Sequence, residues 1–537
     1  MDRAGARVNR PPAWLVAALA AVPTTALALF YLWPLGTLFT ETLGADAVAD
    51  TLRRATTREV LWFTFWQAVA STGATLVVGL IPAWLVARYE FRGRGSLLGA
   101  VTAVFVLPTV VVGGAVLAVL PASIERSTCA IIVAHVLFNI AVVVRLVGAL
   151  WERLPTDLSA AAATLGAGPL DTMRHVTLPL LRPALLATAS AVFVLTFTSF
   201  GVIRVVGAPG TRTIEVEVWR RATQLGDIPG ASALTIVQLL VLGLVLAATG
   251  LLQRRWTTSL DLAPTHRRRP RTRRERGLVT AIGLTTAAVV IVPIAAMVIA
   301  SFSSPTGWTT AGWTDLDGGE IRPGLRVGID PVAAVTASLR FAAWATLFAV
   351  LIGGLASLAI TAAQRAGRLL DIGLTLPIAT SAVTIGLGLL ITFDTPPVDW
   401  RAEWWLVPVG QALVAVPFVV RAIVPSLRAI DPQLLAAAST LGAAPSRAWR
   451  EVVLPMAWRP LLAAAGLAGA ISLGEFGATS MLSRSGNETL PIAIERLLGR
   501  TGATLQAQGY ALASILALVT GLLMIIAERG TGRTGER

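Results

Sequence analysis

Glu475 is the residue whose type and setting most directly invite chemistry. It stands in the apolar run from Leu461 to Leu482, beside Gly474 and Gly477. A charge inside a bilayer costs at least ~2.5 kcal/mol on insertion scales, so such a residue is a functional candidate by default. A carboxylate there suits an organic cation or a metal ion; the plainer alternative is a place near the outer surface, paired with Arg484. The matching residue in the first half of the chain is Ser199, which precedes Phe200-Gly201 as Glu475 precedes Phe476-Gly477. Glu475 and Ser199 are thus the candidate pathway residues, and they differ in charge at matched depth.

Other polar residues carry weaker signals. Glu215 and Glu217 follow a Gly-Ala-Pro-Gly turn and read as outer-loop residues, spaced poorly for one helical face. His135 and Asn139 are four apart, hence on one face of a helix, and suit hydrogen bonding between helices. His175 has Glu451 at its matching position, which offers no metal-ligand set, so no metal is expected. All 44 basic residues are arginine. Without lysine there is no conventional P-loop and no Schiff-base catalyst, so any energy from ATP must come from a partner, and no catalytic role or cofactor is expected. Cys129 is the single cysteine. It excludes an internal disulfide, an Fe–S cluster and a Cys-based zinc site, and reads as a buried, inert thiol.

The elements that must position these residues are membrane helices. Of 537 residues 55% are hydrophobic and only 14% charged, against about 25% charged in soluble domains; mean hydropathy is +0.72. Apolar stretches of bilayer-spanning length recur. Twelve spans are predicted, near 13–36, 60–87, 97–121, 129–150, 183–206, 230–252, 277–302, 333–363, 370–393, 403–424, 460–482 and 506–527. The first, from Trp14 to Leu35, reads as a signal anchor. With 48 glycines and abundant alanine, helix can pack on helix through small residues.

The net charge of +14 does not indicate nucleic acid, because the arginines sit in short loops where they set topology. Arg3, Arg7 and Arg10, then Arg88, Arg92 and Arg94, then Arg365 and Arg368, and the linker arginines between Gln253 and Arg276 all fall on one side if both termini are cytoplasmic. The linker, with Pro264 and Pro270, reads as a tether that could also touch anionic lipid. Three parts follow: a first module 1–252, a linker 253–276 and a second module 277–537.

The modules are copies. The segment 160–179 recurs at 436–455, each position displaced by 276 residues, and Arg145 meets Arg421 and Thr213 meets Thr489 at the same offset. A constant offset of half the chain marks a parallel duplication. In each copy an alanine-rich helix ends at a glycine, Gly166 or Gly442, and a second short helix is expected to end at Leu178-Pro179 or Leu454-Pro455. Both loops, about 151–182 and 425–459, fall on the cytoplasmic side. Arg145 and Arg421, ending the span before each loop, are expected to snorkel to head groups.

The spacing Ala-Ala-x3-Gly-x9-Val-x-Leu-Pro, in both loops, resembles the coupling loop of ATP-binding-cassette importer permeases. Ala161, Ala162, Gly166 and Pro179 carry it in the first copy, and Ala437, Ala438, Gly442 and Pro455 in the second. Val176 and Val452 stand at the family's Ile, and Ala160 and Ala436 where the family has Glu. The resemblance implies an all-α polytopic fold of two six-helix modules in a bacterial plasma membrane. It implies as partners two copies of an ATPase subunit, docked on the two loops, and an extracytoplasmic substrate-binding protein. Fused permeases of this length resemble the thiamine and ferric-iron importers: TFTSFGVIRVVGAPGTRTIEVEVWRRATQLGD (196–227) is similar to the thiamine permease, and GEFGATSML (474–482) to both. The implied substrate is thiamine or a phosphate ester, with ferric iron as the alternative. An ion-coupled secondary transporter is more remote, because intramembrane carboxylates are scarce and Arg92-Gly93-Arg94-Gly95 lacks the Asp of the major-facilitator loop.

Overall fold

The computed structural model describes residues 13–531 except 43–44, 257–266, 305–306, 315–319, 323–324, 327–329, 364, 395–397 and 485. Ten helices among them are long and apolar enough to cross a bilayer, and two bent helix pairs bring the number to twelve when each pair is one span. The first six spans are Trp14–Thr40, Ala55–Arg88, the pair Arg94–Val106 with Thr109–Leu117, Thr128–Glu152, Pro169–Phe197 and Ile228–Trp256. The second six are Arg273–Ala300, Pro331–Ala362, the pair Ala366–Ala379 with Ala382–Thr392, Leu406–Arg428, Arg450–Gly474 and Ala503–Glu528. Strand among the described residues is limited to two small hairpins between the seventh and eighth spans. The molecule is an all-α polytopic membrane protein built of two modules.

Each module closes through the same small-residue contact. A Cβ placed on Gly79 of the second span would sit 2.7 Å from the Cβ of Val143 on the fourth. On Gly353 of the eighth span it would sit 2.7 Å from Cγ1 of Val419 on the tenth. Only glycine lets these backbones approach so closely, the packing device of helices in lipid. The first spans are exchanged. The helix Trp14–Thr40 packs on the eighth and ninth spans, and Arg273–Ala300 packs on the second and third. Each copy therefore lends its first helix to the other, and the two halves interlock.

Four spans differ from their sequence-based outlines. The third and ninth, expected as continuous helices over 97–121 and 370–393, bend by 107° and 101°. Pro108 holds Leu107 extended at ψ 142, because the ring clashes with a helical residue before it. Ser381 breaks the ninth span at ψ 153, its hydroxyl accepting the Thr384 N–H at 3.0 Å. The fifth and eleventh, expected at 183–206 and 460–482, begin at Pro169 and Arg450 and stop at Phe197 and Gly474. Separate short helices, Gly201–Val206 and Gly477–Leu482, follow them. Leu178-Pro179 and Leu454-Pro455 do not end helices. Wide π turns at Met173–Thr177 and Trp449–Val453 precede them. Such a bulge relieves the clash between a proline ring and the carbonyl four residues back, so the helix runs on.

The described part of the linker is docked where the sequence suggested a free tether; residues 257–266 lie outside the described residues. Arg268 exchanges backbone hydrogen bonds with Arg88 and Glu90, and stacks on the Tyr89 ring at 4.9 Å. Arg267 pairs with Glu90 at 2.9 Å and Glu152 at 3.1 Å. Thr272 and Glu275 form a capping box that starts the seventh span.

Candidate functional site

The two repeated loops are built alike to the level of single hydrogen bonds. Thr156–Thr164 and Pro432–Thr440 are helices. Gly166 and Gly442 follow them at φ +84° and +80°, the left-handed region where a side chain costs about 1 kcal/mol or more. The Gly166 N–H donates to Ala163 and the Ala167 N–H to Ala162, both at 3.0 Å. Gly442 donates to Ser439 and Ala443 to Ala438, again at 3.0 Å. This is the Schellman ending, which satisfies the last helical carbonyls. The backbone carbonyls of Ala162 and Ala438 are acceptors at the elbow, and those of Ala161 and Ala437 accept from Leu165 and Leu441. Pro179 and Pro455 lie just past the π turns, in the helix that carries each elbow into the membrane.

Each elbow presents a bare leucine. Leu165 is 88% exposed and Leu441 87%. They sit at the matching position of both copies, outside the apolar spans, and the surrounding helices cover neither.

From the elbow, the fifth span runs 29 residues, about 43 Å, and the sixth returns. Residues 198–227 and 474–502 therefore lie at the end opposite the elbows. There the structure places Ser199 and Glu475, both buried. The carboxylate of Glu475 accepts the N–H groups of Ala478 and Thr479 at 2.8 Å each and the Thr479 hydroxyl at 2.5 Å. Both oxygens are thus engaged at the start of its own short helix. Arg484 is not among their partners. Glu215 and Glu217, read as outer-loop residues, are buried. Glu215 accepts from Gln238. Glu217 pairs with Arg220 at 2.7 Å and Arg221 at 3.0 Å. Burial alone would raise the Glu217 pKa, but those two guanidiniums hold it below the usual carboxylate range.

The residues next to the candidates do meet. Phe200 and Phe476, one from each module, pack with ring centroids 5.0 Å apart. Around them is a cavity of about 430 Å³ lined by both modules, with Arg204, Trp219 and Gln224 on one side and Ser480, Glu495, Arg496 and Arg500 on the other. Arg204 donates to Glu495 across the module boundary and lies 4.3 Å over the Trp219 ring. The 276-residue counterparts of Arg204 and Glu495 are Ser480 and Trp219, and they also touch, indole N–H to Ser480 carbonyl at 3.4 Å. Reciprocal contacts of this kind place the cavity on the pseudo-twofold axis. Arg126, at φ +49°, donates to the carbonyls of Val205 and Leu498 and ties the two rims together.

Sequence reasoning missed Arg204, Trp219, Glu495 and Arg500. A signal existed, because the offset pairs Arg204 with Ser480, Trp219 with Glu495 and Gln224 with Arg500, sites where the copies have diverged. Arg145 and Arg421 do not merely snorkel. They donate to Thr102 at 2.7 Å and Thr375 at 2.8 Å, on the broken third and ninth spans. His135 meets Ser71 of the second span at 3.0 Å, an interhelical bond of the expected kind. Cys129 is exposed at the rim of the fourth span, not buried. Among the described residues, no three His, Cys, Asp or Glu side chains gather to hold a metal.

Residues 75–258 and 345–531 each match the family described as binding-protein-dependent transport system inner membrane component. The chain is 26% identical to the ABC transporter permease protein y4fN of Sinorhizobium fredii, over 98% of this chain and 96% of that protein. It is 29% identical to the thiamine transport system permease protein ThiP of Brucella suis, over 88% of each. A permease named for 2-aminoethylphosphonate transport, PhnV of Salmonella typhimurium, is 34% identical over 38% of this chain and 76% of its own length. Among solved structures, a chain of the inward-facing MetNI methionine ABC transporter aligns at 17% identity and TM-score 0.30, covering 38% of this chain and all of that one.

Proposed function

The chain belongs to the family of binding-protein-dependent transport system inner membrane components, and on that premise we propose how it works. It is an ABC-importer permease, and both modules needed for a pathway are on one polypeptide. The two elbows dock on two copies of an ATPase subunit in the cytoplasm, with both termini on that side. The single observation that carries this reading is the duplicate elbow: two Schellman endings of identical geometry, each presenting a leucine nearly 90% exposed. An exposed leucine held at matched places on two copies suits insertion into a hydrophobic groove. Because Pro169–Phe197 and Arg450–Gly474 are continuous helices, a displacement of either elbow is carried as a rigid lever to the axial cavity at the far end.

An extracytoplasmic binding protein delivers solute to that far end. The implied solute is thiamine or a phosphate ester, with ferric iron as the second reading; ThiP, named for thiamine, supports the first by likeness over 88% of both chains. Isolation of the tagged chain from its native membrane is the test. Co-isolation of a P-loop subunit is expected, with solute uptake that needs ATP. Solute movement driven by an ion gradient in proteoliposomes of the chain alone would overturn the reading. Uptake of labelled thiamine and of ferric iron by cells lacking the chain separates the two solutes.

A further inference from the structure

The axial cavity carries an excess of positive charge that the fold does not consume. Its wall holds three arginines, Arg204, Arg496 and Arg500, against one carboxylate, Glu495. Glu495 is engaged by Arg204, yet the Arg204 Nε is buried and finds no acceptor among the described residues. Arg496 reaches Glu488 only at 3.5 Å, keeping 44% of its side chain exposed. Arg500 has no ion-pair partner among the described residues, and its side chain is exposed. Guanidinium donors in a half-open cavity match the tetrahedral oxygens of a phosphoryl or phosphonyl group, which they can take two at a time. Trp219, Phe200 and Phe476 add apolar faces, and the volume of about 430 Å³ falls within the ~300–1,000 Å³ range of small-molecule sites.

The two halves of the site are chemically unlike. Where the first module has Arg204, Trp219 and Gln224, the second has Ser480, Glu495 and Arg500. Phe200 and Phe476 are kept. Duplicated modules meeting on an axis would give a symmetric site; divergence at these wall positions makes one that holds a solute in one orientation. We propose that the axial cavity is a binding site for a small phosphate ester or phosphonate, with the oxyanion on the exposed guanidiniums of Arg500 and Arg496, and any ammonium end of the solute toward Glu495. Of the two solutes in the first reading, the same charges select the phosphate ester over free thiamine, a bare organic cation. This deepens the importer reading and rests on it for the direction of travel, while binding itself needs no ATPase.

The test is calorimetric binding of phosphoethanolamine to the purified full chain in phosphatidylcholine nanodiscs, with inorganic phosphate, choline and thiamine as parallel probes. Saturable phosphoethanolamine binding is expected, with choline and thiamine silent. Inorganic phosphate, lacking the ammonium end, is expected to bind more weakly. Arg500→Gln, an exposed substitution that leaves the Arg204–Glu495 pair in place, is expected to weaken phosphoethanolamine roughly tenfold. Glu495→Gln is expected to narrow the gap between phosphoethanolamine and phosphate. Binding of the cations in preference to the anions, or an unchanged affinity in Arg500→Gln, overturns the proposal. Loss of probe binding on moving to phosphatidylglycerol discs also overturns it, since the arginines would then be holding lipid head groups. If no anion binds although a P-loop subunit co-purifies, the site assignment fails and the importer reading stands.

Discussion

Phe200 and Phe476 occupy the same position in two copies of one module, 276 residues apart, and their rings meet at 5.0 Å with planes tilted by 33°. Like residues touch their own counterparts only on a symmetry axis, so this pair marks where the duplicated halves face each other. Both rings also line the cavity that Arg204 and Arg500 share. Offset aromatic pairs contribute about 0.5–1.5 kcal/mol beyond their burial. A double-mutant cycle of Phe200→Ala and Phe476→Ala, read by thermal unfolding in detergent, is expected to give a coupling of that size. A coupling of zero would mean that the rings do not meet in the folded protein.

The elbow glycines are required by backbone and not by space. Nothing lies within 4 Å of a Cβ built on Gly442 or Gly166, while their φ values are near +80°. Gly442→Val should therefore cost roughly 1–2 kcal/mol locally, and unwind the Schellman ending without any clash. ATP hydrolysis is expected to continue while transport falls, with membrane insertion normal. Gly442→Asn, which tolerates this conformation, is expected to restore much of the coupling. Equal transport by the Val and Asn variants would remove the elbow from the coupling path.

Leu165 and Leu441 separate docking from elbow shape. Each is almost wholly exposed, so Leu165→Asp with Leu441→Asp should change the stability of the chain by about 0.5 kcal/mol or less. Recovery of the ATPase subunit in a pull-down is expected to drop severely, and each single substitution to act partially. Undiminished recovery in the double variant would mean that the partner grips another surface.

Glu475 offers a direct contrast between structural and solute-binding roles. Its carboxylate takes two backbone N–H groups and one hydroxyl, all within 2.8 Å, so Glu475→Ala should destabilise the chain by about 2 kcal/mol. Glu475→Gln keeps one carbonyl acceptor and is expected to fall between. The discriminating measurement is transport selectivity at a temperature where both variants remain folded. A change of preferred solute with unchanged unfolding temperature would return Glu475 to the pathway.

The duplication and the elbows were legible in the sequence because they are local. A left-handed glycine after an alanine helix is written in consecutive residues, and so is its echo at Gly442. What the sequence hid is non-local. The Arg145–Thr102 and Arg421–Thr375 bonds join matched residues, yet the arginines are offset by 276 and the threonines by 273. Three residues thus shift between the ninth span and the tenth, after the break at Ser381, which matches Pro108 at the offset of 273, and a fixed-offset comparison loses the match. Hydropathy also reads Leu107-Pro108 and Gly474-Glu475 as interior to spans, because one extended residue barely alters a window average. The exchange of first spans leaves no trace in hydropathy, since lipid-facing and helix-facing alanine and leucine look alike there. Charge scarcity likewise drew attention to Glu475, whose oxygens turn out to be engaged at its own helix, and not to Arg204, inside the fifth predicted span (183–206), or to Glu495, beyond the eleventh.

Cys129 supplies an orientation test without engineering, because it is the only cysteine in the chain and is exposed. It lies three residues after Arg126, whose guanidinium binds the carbonyls of Val205 and Leu498. That fixes Cys129 at the end of the bundle opposite the two elbows. If the elbows meet an ATPase, they must be cytoplasmic, because ATP is there; Cys129 must then face outward. A membrane-impermeant maleimide is expected to modify the chain in intact spheroplasts and to fail in everted vesicles, with Cys129→Ser silent in both. The reverse pattern would put the elbows outside the cell, where no ATPase could use them, and the coupling role of Gly166 and Gly442 would fall with the topology.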